Sequence, residues 1–280
     1  METIKNIFTV DVEEYYHAEN ILHSLPKEKI GALESRVGIG VHKILDLLTK
    51  YNSKATFFVL GCVAEKNPGL IKEIAAAGHE IASHGYEHIP LYKHTPESFG
   101  DDLGRSIELL SGLTGERIIG YRATSFSLDE RLEWFFEILK KHGIVYDSSL
   151  CLSFFRKQCR SLWKNICGIN KVGEILELPP SYISLGPVRL PIGGGYFRAY
   201  PYWLTKYGLN QSIAQRRTPP LFYIHPWELD PQQPRFKIPA LNSFRHYLNL
   251  SKTEKKLQQL LVDRHFISVR DFLNTVPVPV

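Results

Sequence analysis

What this sequence lacks narrows its class first. No apolar stretch approaches the roughly 20 residues needed to cross a bilayer, so no transmembrane segment is expected. The opening Met1-Glu2-Thr3-Ile4-Lys5-Asn6 shows no charged leader, long hydrophobic region or small-residue cleavage site. A signal peptide is therefore not expected, and the chain reads as cytoplasmic. Cys62, Cys151, Cys159 and Cys167 show no C-x-x-C spacing, which in a chain of 280 residues points to reduced thiols rather than a disulfide framework. Basic residues outnumber acidic ones, 34 to 29, but the two are interspersed and form no concentrated basic stripe. That pattern argues against a nucleic-acid partner and leaves room for peripheral association with anionic glycans or the inner membrane surface. There is no internal repeat and no low-complexity tail, and the oligomeric state is not legible.

What is present is a rhythm. Short apolar runs alternate with helical patterns, as repeated β-α units of a parallel sheet or barrel do. Strands are expected at 7–12, 55–61, 80–83, 118–121, 144–146, 175–178, 221–224 and 266–269. Helices are expected at 41–48, 63–77, 96–113, 128–141 and 253–262, where apolar residues recur at three- and four-residue spacing. The rhythm breaks from Cys151 to about Thr218, which reads as an elaboration over a barrel mouth. Arg156, Lys157, Arg160 and Lys164 give it a basic patch, either solvated or facing an anionic glycan.

Two segments carry reactive residue types. Phe8-Thr9-Val10-Asp11-Val12-Glu13-Glu14 is apolar until it ends in three acids, and strand alternation puts Asp11 and Glu13 on one side and Glu14 on the other. An acidic solvated turn would give the same string. Ser83-His84-Gly85-Tyr86-Glu87-His88 follows an apolar strand, and two histidines four apart can grip one cation from one face of a helical turn. A divalent ion held by two neutral imidazoles and a carboxylate would polarise a carbonyl oxygen and acidify water, leaving Asp11 as a base. His17 reads as a surface or supporting histidine that could line the site. Gly193-Gly194-Gly195 lacks the spacing and the opening helix of a phosphate cradle and reads as a turn that lets backbone approach a ligand.

With these motifs the chain resembles the polysaccharide deacetylase family, the NodB-type carbohydrate esterases that include chitin and peptidoglycan deacetylases. Thr9-Val10-Asp11-Val12-Glu13 resembles the opening acidic motif, His84 to His88 the histidine motif with one extra residue, and Ala55-Thr56-Phe57-Phe58-Val59 the strand between them. Gly120-Tyr121-Arg122-Ala123-Thr124 resembles the arginine motif, Tyr146-Asp147-Ser148-Ser149 the next, and Tyr223-Ile224-His225 the closing one. The match runs over roughly residues 7 to 230. The runs His225-Pro226-Trp227-Glu228-Leu229-Asp230 and Gly193 to Arg198 look closest to the branch associated with bacterial exopolysaccharide clusters. Departures are Glu13 for an aspartate and Ala123-Thr124 for prolines.

The resemblance implies an α/β fold, a distorted (β/α) barrel of about seven parallel strands, with residues 1–230 as the catalytic domain and 231–280 as a C-terminal extension packed on it. It implies an N-acetylated glycan or sugar as substrate, and a divalent ion, zinc with cobalt or nickel as alternatives, held by Glu13, His84 and His88. Asp11 would be the base, held by the guanidinium fork of Arg122, and His225 the acid to the leaving amine. Tyr146 and Asp147 would line the site and support His225, while Gly194, Tyr196 and Trp227 would contact the sugar. Two other readings share the motifs: a hydrolase of a small non-glycan amide, and a silent glycan-binding module.

Overall fold

The computed structural model describes residues 5–128, 132, 134–150, 170–172, 174–186, 188–216 and 219–275. The basic patch at 156–164 and three of the four cysteines lie outside these residues. Eleven strands are described: β1 (Asn6–Val12), β2 (Thr56–Val59), β3 (Glu80–Ser83), β4 (Gly120–Tyr121), β5 (Tyr146–Asp147), β6 (Asn170–Val172), β7 (Ile175–Glu177), β8 (Tyr182–Leu185), β9 (Val188–Pro191), β10 (Leu221–Ile224) and β11 (Phe266–Ile267). Seven of them run parallel in the order β10-β1-β2-β3-β4-β5-β7 and curl into an open barrel, as expected of the NodB-like fold. β6 adds an antiparallel edge and β11 pairs with the start of β1. At the seam Ser181 N–H donates to the Leu221 carbonyl (2.9 Å), and Leu221 N–H donates to Ser181 Oγ (3.0 Å).

The two faces of β1 explain why its sequence is apolar at almost every position. Phe8, Val10 and Val12 point outward into the core shared with the helices, together with Phe57, Val59, Ile44 and Leu48. Ile7 points inward with Phe58, Ala82 and Tyr146. Asp11 has the parity of Ile7 and so reaches the barrel interior at the carboxyl end of the strand, paired in register with Phe58 of β2.

The helix Val37–Lys50 buries Val37, Val41, Ile44, Leu47 and Leu48 along one stripe against this layer. Helix Pro96–Thr114 begins at Thr95, whose hydroxyl accepts from Ser98 N–H while the Ser98 hydroxyl takes the Thr95 N–H. The single helix expected over 63–77 is instead two, Gly61–Lys66 and Pro68–Ala76. Pro68 has no N–H to continue the first and starts the second at its N1 position. β11 brings the C-terminal region into the sheet itself, with Phe266 in the main core. No described helix is long and apolar enough to cross a membrane.

Candidate active site

Asp11 and Arg122 lie at the barrel's centre, 1 % and 0 % exposed. Arg122 Nη1 donates to Asp11 Oδ1 at 2.6 Å and to Thr9 Oγ1 at 2.9 Å. Its Nη2 donates to Ser148 Oγ at 2.8 Å and its Nε to the Ser148 carbonyl at 3.3 Å, with the guanidinium carbon 4.1 Å from the Phe58 ring centre. The sequence suggested a two-pronged clamp on Asp11; the structure shows a single contact, because the other arms are spent on Ser148. This leaves Asp11 Oδ2 facing His225 Nε2 at 3.8 Å.

Glu13, His84 and His88 converge beside this pair, one ligand atom from each lying within 4.8 Å of the others. The histidines do not sit on a helical turn as their spacing suggested. They flank a loop in which Gly85 has φ +81°, a region open to glycine, and Asp102 accepts the N–H groups of Tyr86 (2.7 Å) and Glu87 (3.1 Å). His84 Nδ1 lies 2.7 Å from the Arg122 carbonyl oxygen, which can only accept, so Nδ1 donates and a neutral His84 turns an Nε2 lone pair toward Glu13 Oε1, 2.8 Å away. His88 Nε2 lies 3.0 Å from the same oxygen. Two imidazole nitrogens and one carboxylate oxygen thus converge, which is the donor set of a divalent cation, with the orienting carbonyl behind His84. Burial pushes the Glu13 carboxyl up, but the imidazoles beside it, His88 foremost, outweigh it and hold it well below the usual carboxylate range. Glu14 turns away, as alternation required, accepting from Ser35 Oγ and Arg36 N–H. His17 supports the cluster, its ring stacked on His88 at 5.5 Å.

His225 follows β10 and heads a short 3₁₀ turn, Pro226–Leu229. Its Nδ1 lies 2.8 Å from Glu228 Oε1. Burial alone would lower its pKa, but the hydrogen bond to Glu228 and the charges of Glu13, Glu228 and Asp11 raise it to about 9. Trp227 stacks on His225 at 5.4 Å and on His246 at 4.6 Å, and is 7 % exposed. It walls the pocket and braces the histidine, with little free face for a sugar ring.

A cavity of about 770 Å³ opens over these groups, bounded by Asp11, Glu13, His17, His88, Tyr196 and His225, with Phe244 and Arg245 on its outer wall. Ser125 and Phe126 also line it and hold φ of +55° and +48°, a strained pair directly after the Arg122 loop. Tyr196, expected to contact the sugar, lines this cavity. Gly194 lies beneath the wall, where a Cβ would stand 2.9 Å from the Tyr223 ring and 3.4 Å from His225. A short helix, Gly194–Ala199, does open on this triplet, contrary to the sequence reading.

Two expected site residues are elsewhere. Tyr146 is fully buried inside the barrel, its hydroxyl donating to Glu80 Oε1 at 2.9 Å. Asp147 is fully buried too and accepts from Ser149 Oγ at 2.6 Å; it does not support His225. Their strand is only two residues long, so it is Ser148, just past its end, that reaches Arg122. The residues the sequence reading left without a role are Thr9, Ser148, Arg198 and Glu228. Glu228 carried a local signal: an acid three residues after the histidine.

Residues 39–146 match the polysaccharide deacetylase family model, and residues 163–274 match a domain of unknown function, DUF3473. The first contains His84, His88 and Arg122 and the second contains Arg198, His225 and Glu228, so both contribute to one pocket. The chain is 37 % identical over 112 residues to a peptidoglycan deacetylase of Helicobacter pylori, covering 40 % of this chain and 37 % of that one. It is 44 % identical over 73 residues to a peptidoglycan-N-acetylglucosamine deacetylase of Bacillus cereus, covering 26 % of each. The matched segments thus span well under half of those relatives. In fold the chain is similar to a protein from Mycobacterium smegmatis assigned as a polysaccharide deacetylase (TM-score 0.64, 21 % identity, 100 % and 96 % of the two chains). It is also similar to the Puue allantoinase (TM-score 0.58, 17 % identity, 98 % and 91 %).

Proposed function

We propose that the chain is a polysaccharide deacetylase, as the family model matched over residues 39–146 supports, and that it hydrolyses the acetamido group of an N-acetylated glycan or sugar. The observation that carries this reading is the facing pair: Asp11 Oδ2 and His225 Nε2, 3.8 Å apart, beside the triangle of Glu13, His84 and His88. Asp11 is pinned by Arg122 through Oδ1, so Oδ2 is the oxygen free to take a proton from an attacking water. His225, on the other side of the same point, delivers a proton to the departing amine, without which an amide nitrogen is a poor leaving group. A divalent ion, zinc in preference to cobalt or nickel, would supply Lewis acidity toward the acetyl carbonyl when held by Glu13, His84 and His88. A cavity of about 770 Å³ suits a glycan better than a small linear or cyclic amide. The resemblance of the runs Gly193 to Arg198 and His225 to Asp230 to the exopolysaccharide branch supports a place in exopolysaccharide or cell-surface glycan synthesis, with the chain in the cytoplasm or at the inner membrane surface.

The test is release of acetate from N-acetylglucosamine oligomers by protein stripped with a chelator and then given zinc. Acetate should appear only after metal is returned, and Glu13→Gln and His84→Ala should lose both bound zinc, by elemental analysis, and turnover. Zinc-loaded protein that releases no acetate from any N-acetylated glycan would overturn the substrate reading.

A further inference from the structure

The acid half of this reaction depends on a histidine whose support does not come from the motif that sequence comparison suggested. Glu228 Oε1 accepts both from the His225 backbone N–H (3.0 Å) and from Nδ1 (2.8 Å), while Oε2 accepts from Arg198 Nε at 2.6 Å. Both Arg198 and Glu228 are buried, 3 % and 0 % exposed. The guanidinium is itself anchored: Nη1 donates to the carbonyls of His246 (2.9 Å) and Leu248 (2.7 Å), and Nη2 to that of Arg245 (3.2 Å). Burial pushes the Glu228 carboxyl up, and the charges and hydrogen bonds of Arg198 and His225 bring it below its usual range. An ionised carboxylate only accepts, so Nδ1 must donate, and Nε2 is left as the nitrogen that faces Asp11 and the pocket.

We propose that Arg198 and Glu228 are positioning residues for the general acid: together they fix the tautomer and the aim of His225, and they do so from the segment matched as a domain of unknown function. That segment is then the part of the active site that protonates the leaving group. The proposal deepens the deacetylase reading and rests on it for the role of His225, though the geometry of the triad stands independently.

The test compares two leaving groups. An amine must be protonated as it departs, whereas the phenolate of 4-nitrophenyl acetate leaves without a proton, so a defect confined to the acid affects only the first. In zinc-loaded protein, Glu228→Gln and Arg198→Met should lower kcat for acetate release from N-acetylglucosamine oligomers by about 10²-fold. KM, bound zinc and turnover of the ester should stay within about threefold of the parent. Equal losses on both substrates, or no loss on the oligomer, would overturn the proposal. Nitrogen-15 NMR of the parent's His225, taken above pH 9 where the ring is neutral and its tautomer can be read, provides a second measure that needs no activity and no variant that folds. A protonated Nδ1 supports the triad and a bare Nδ1 refutes it, even if the parent releases no acetate and the substrate reading fails.

Discussion

Arg122 and Asp11 form the most deeply buried ion pair of the site, and their coupling can be tested without reference to any substrate. Removing one partner of a buried pair costs about 3–5 kcal/mol, because the remaining charge sits in a medium that cannot solvate it. Arg122→Met removes the cation hydrogen-bonded to Asp11 Oδ1 and leaves the carboxylate, 1 % exposed, with neutral Thr9 and Ser148 and with His225 Nε2 3.8 Å from its other oxygen. Asp11→Asn strands the guanidinium, 0 % exposed, with only neutral acceptors around it. Each single variant should therefore lose about 3–5 kcal/mol in urea denaturation of metal-free protein. With an unfolding entropy of about 2.1 cal/mol/K per residue, a chain of 280 residues should drop in Tm by roughly 5–8 °C. The double variant Asp11→Asn/Arg122→Met removes both charges together and should lose no more than either single one. A double-variant loss equal to the sum of the singles within about 0.5 kcal/mol would refute the coupling, since additivity is the mark of independent sites.

Gly40 lies where the Val37–Lys50 helix touches the turn after His225, and an added Cβ would stand 1.9 Å from the Pro226 carbonyl oxygen. Gly40→Ala should therefore destabilise by about 1–3 kcal/mol despite alanine's better helix propensity and should lower acetate release; a raised Tm would contradict the packing. Burial first, then the Arg198 charge, lowers the His246 pKa from 6.5 to about 3, so the native protein stays neutral there where the unfolded chain takes a proton. Stability should fall as pH drops below about 6.5, by roughly 2 kcal/mol at pH 5 from this group, and His246→Gln should remove that share in urea titrations at pH 7 and 5; an unchanged pH dependence would refute it.

The sequence by itself determined the elements and the chemistry at their ends. Glu80–Ser83 and Leu221–Ile224 are legible to the residue, because the Gly78 and Pro220 breaks just before them and the histidines just after them are features of local order. Alternation alone put Asp11 and Glu13 on one side and Glu14 on the other, and the motifs named His84, His88, Arg122 and His225. What only the tertiary structure decided is which of the many polar side chains meet. The curl of the parallel sheet brings His225 to within 3.8 Å of Asp11 across 214 positions of chain, and no local pattern encodes that distance. It also chose Glu228 over Asp147 as the partner of His225 and turned Tyr146 into the barrel interior, since a two-residue strand fixes side-chain direction by register with its neighbours. Periodicity is a property of consecutive residues, whereas a site at a barrel mouth is assembled from the ends of several strands.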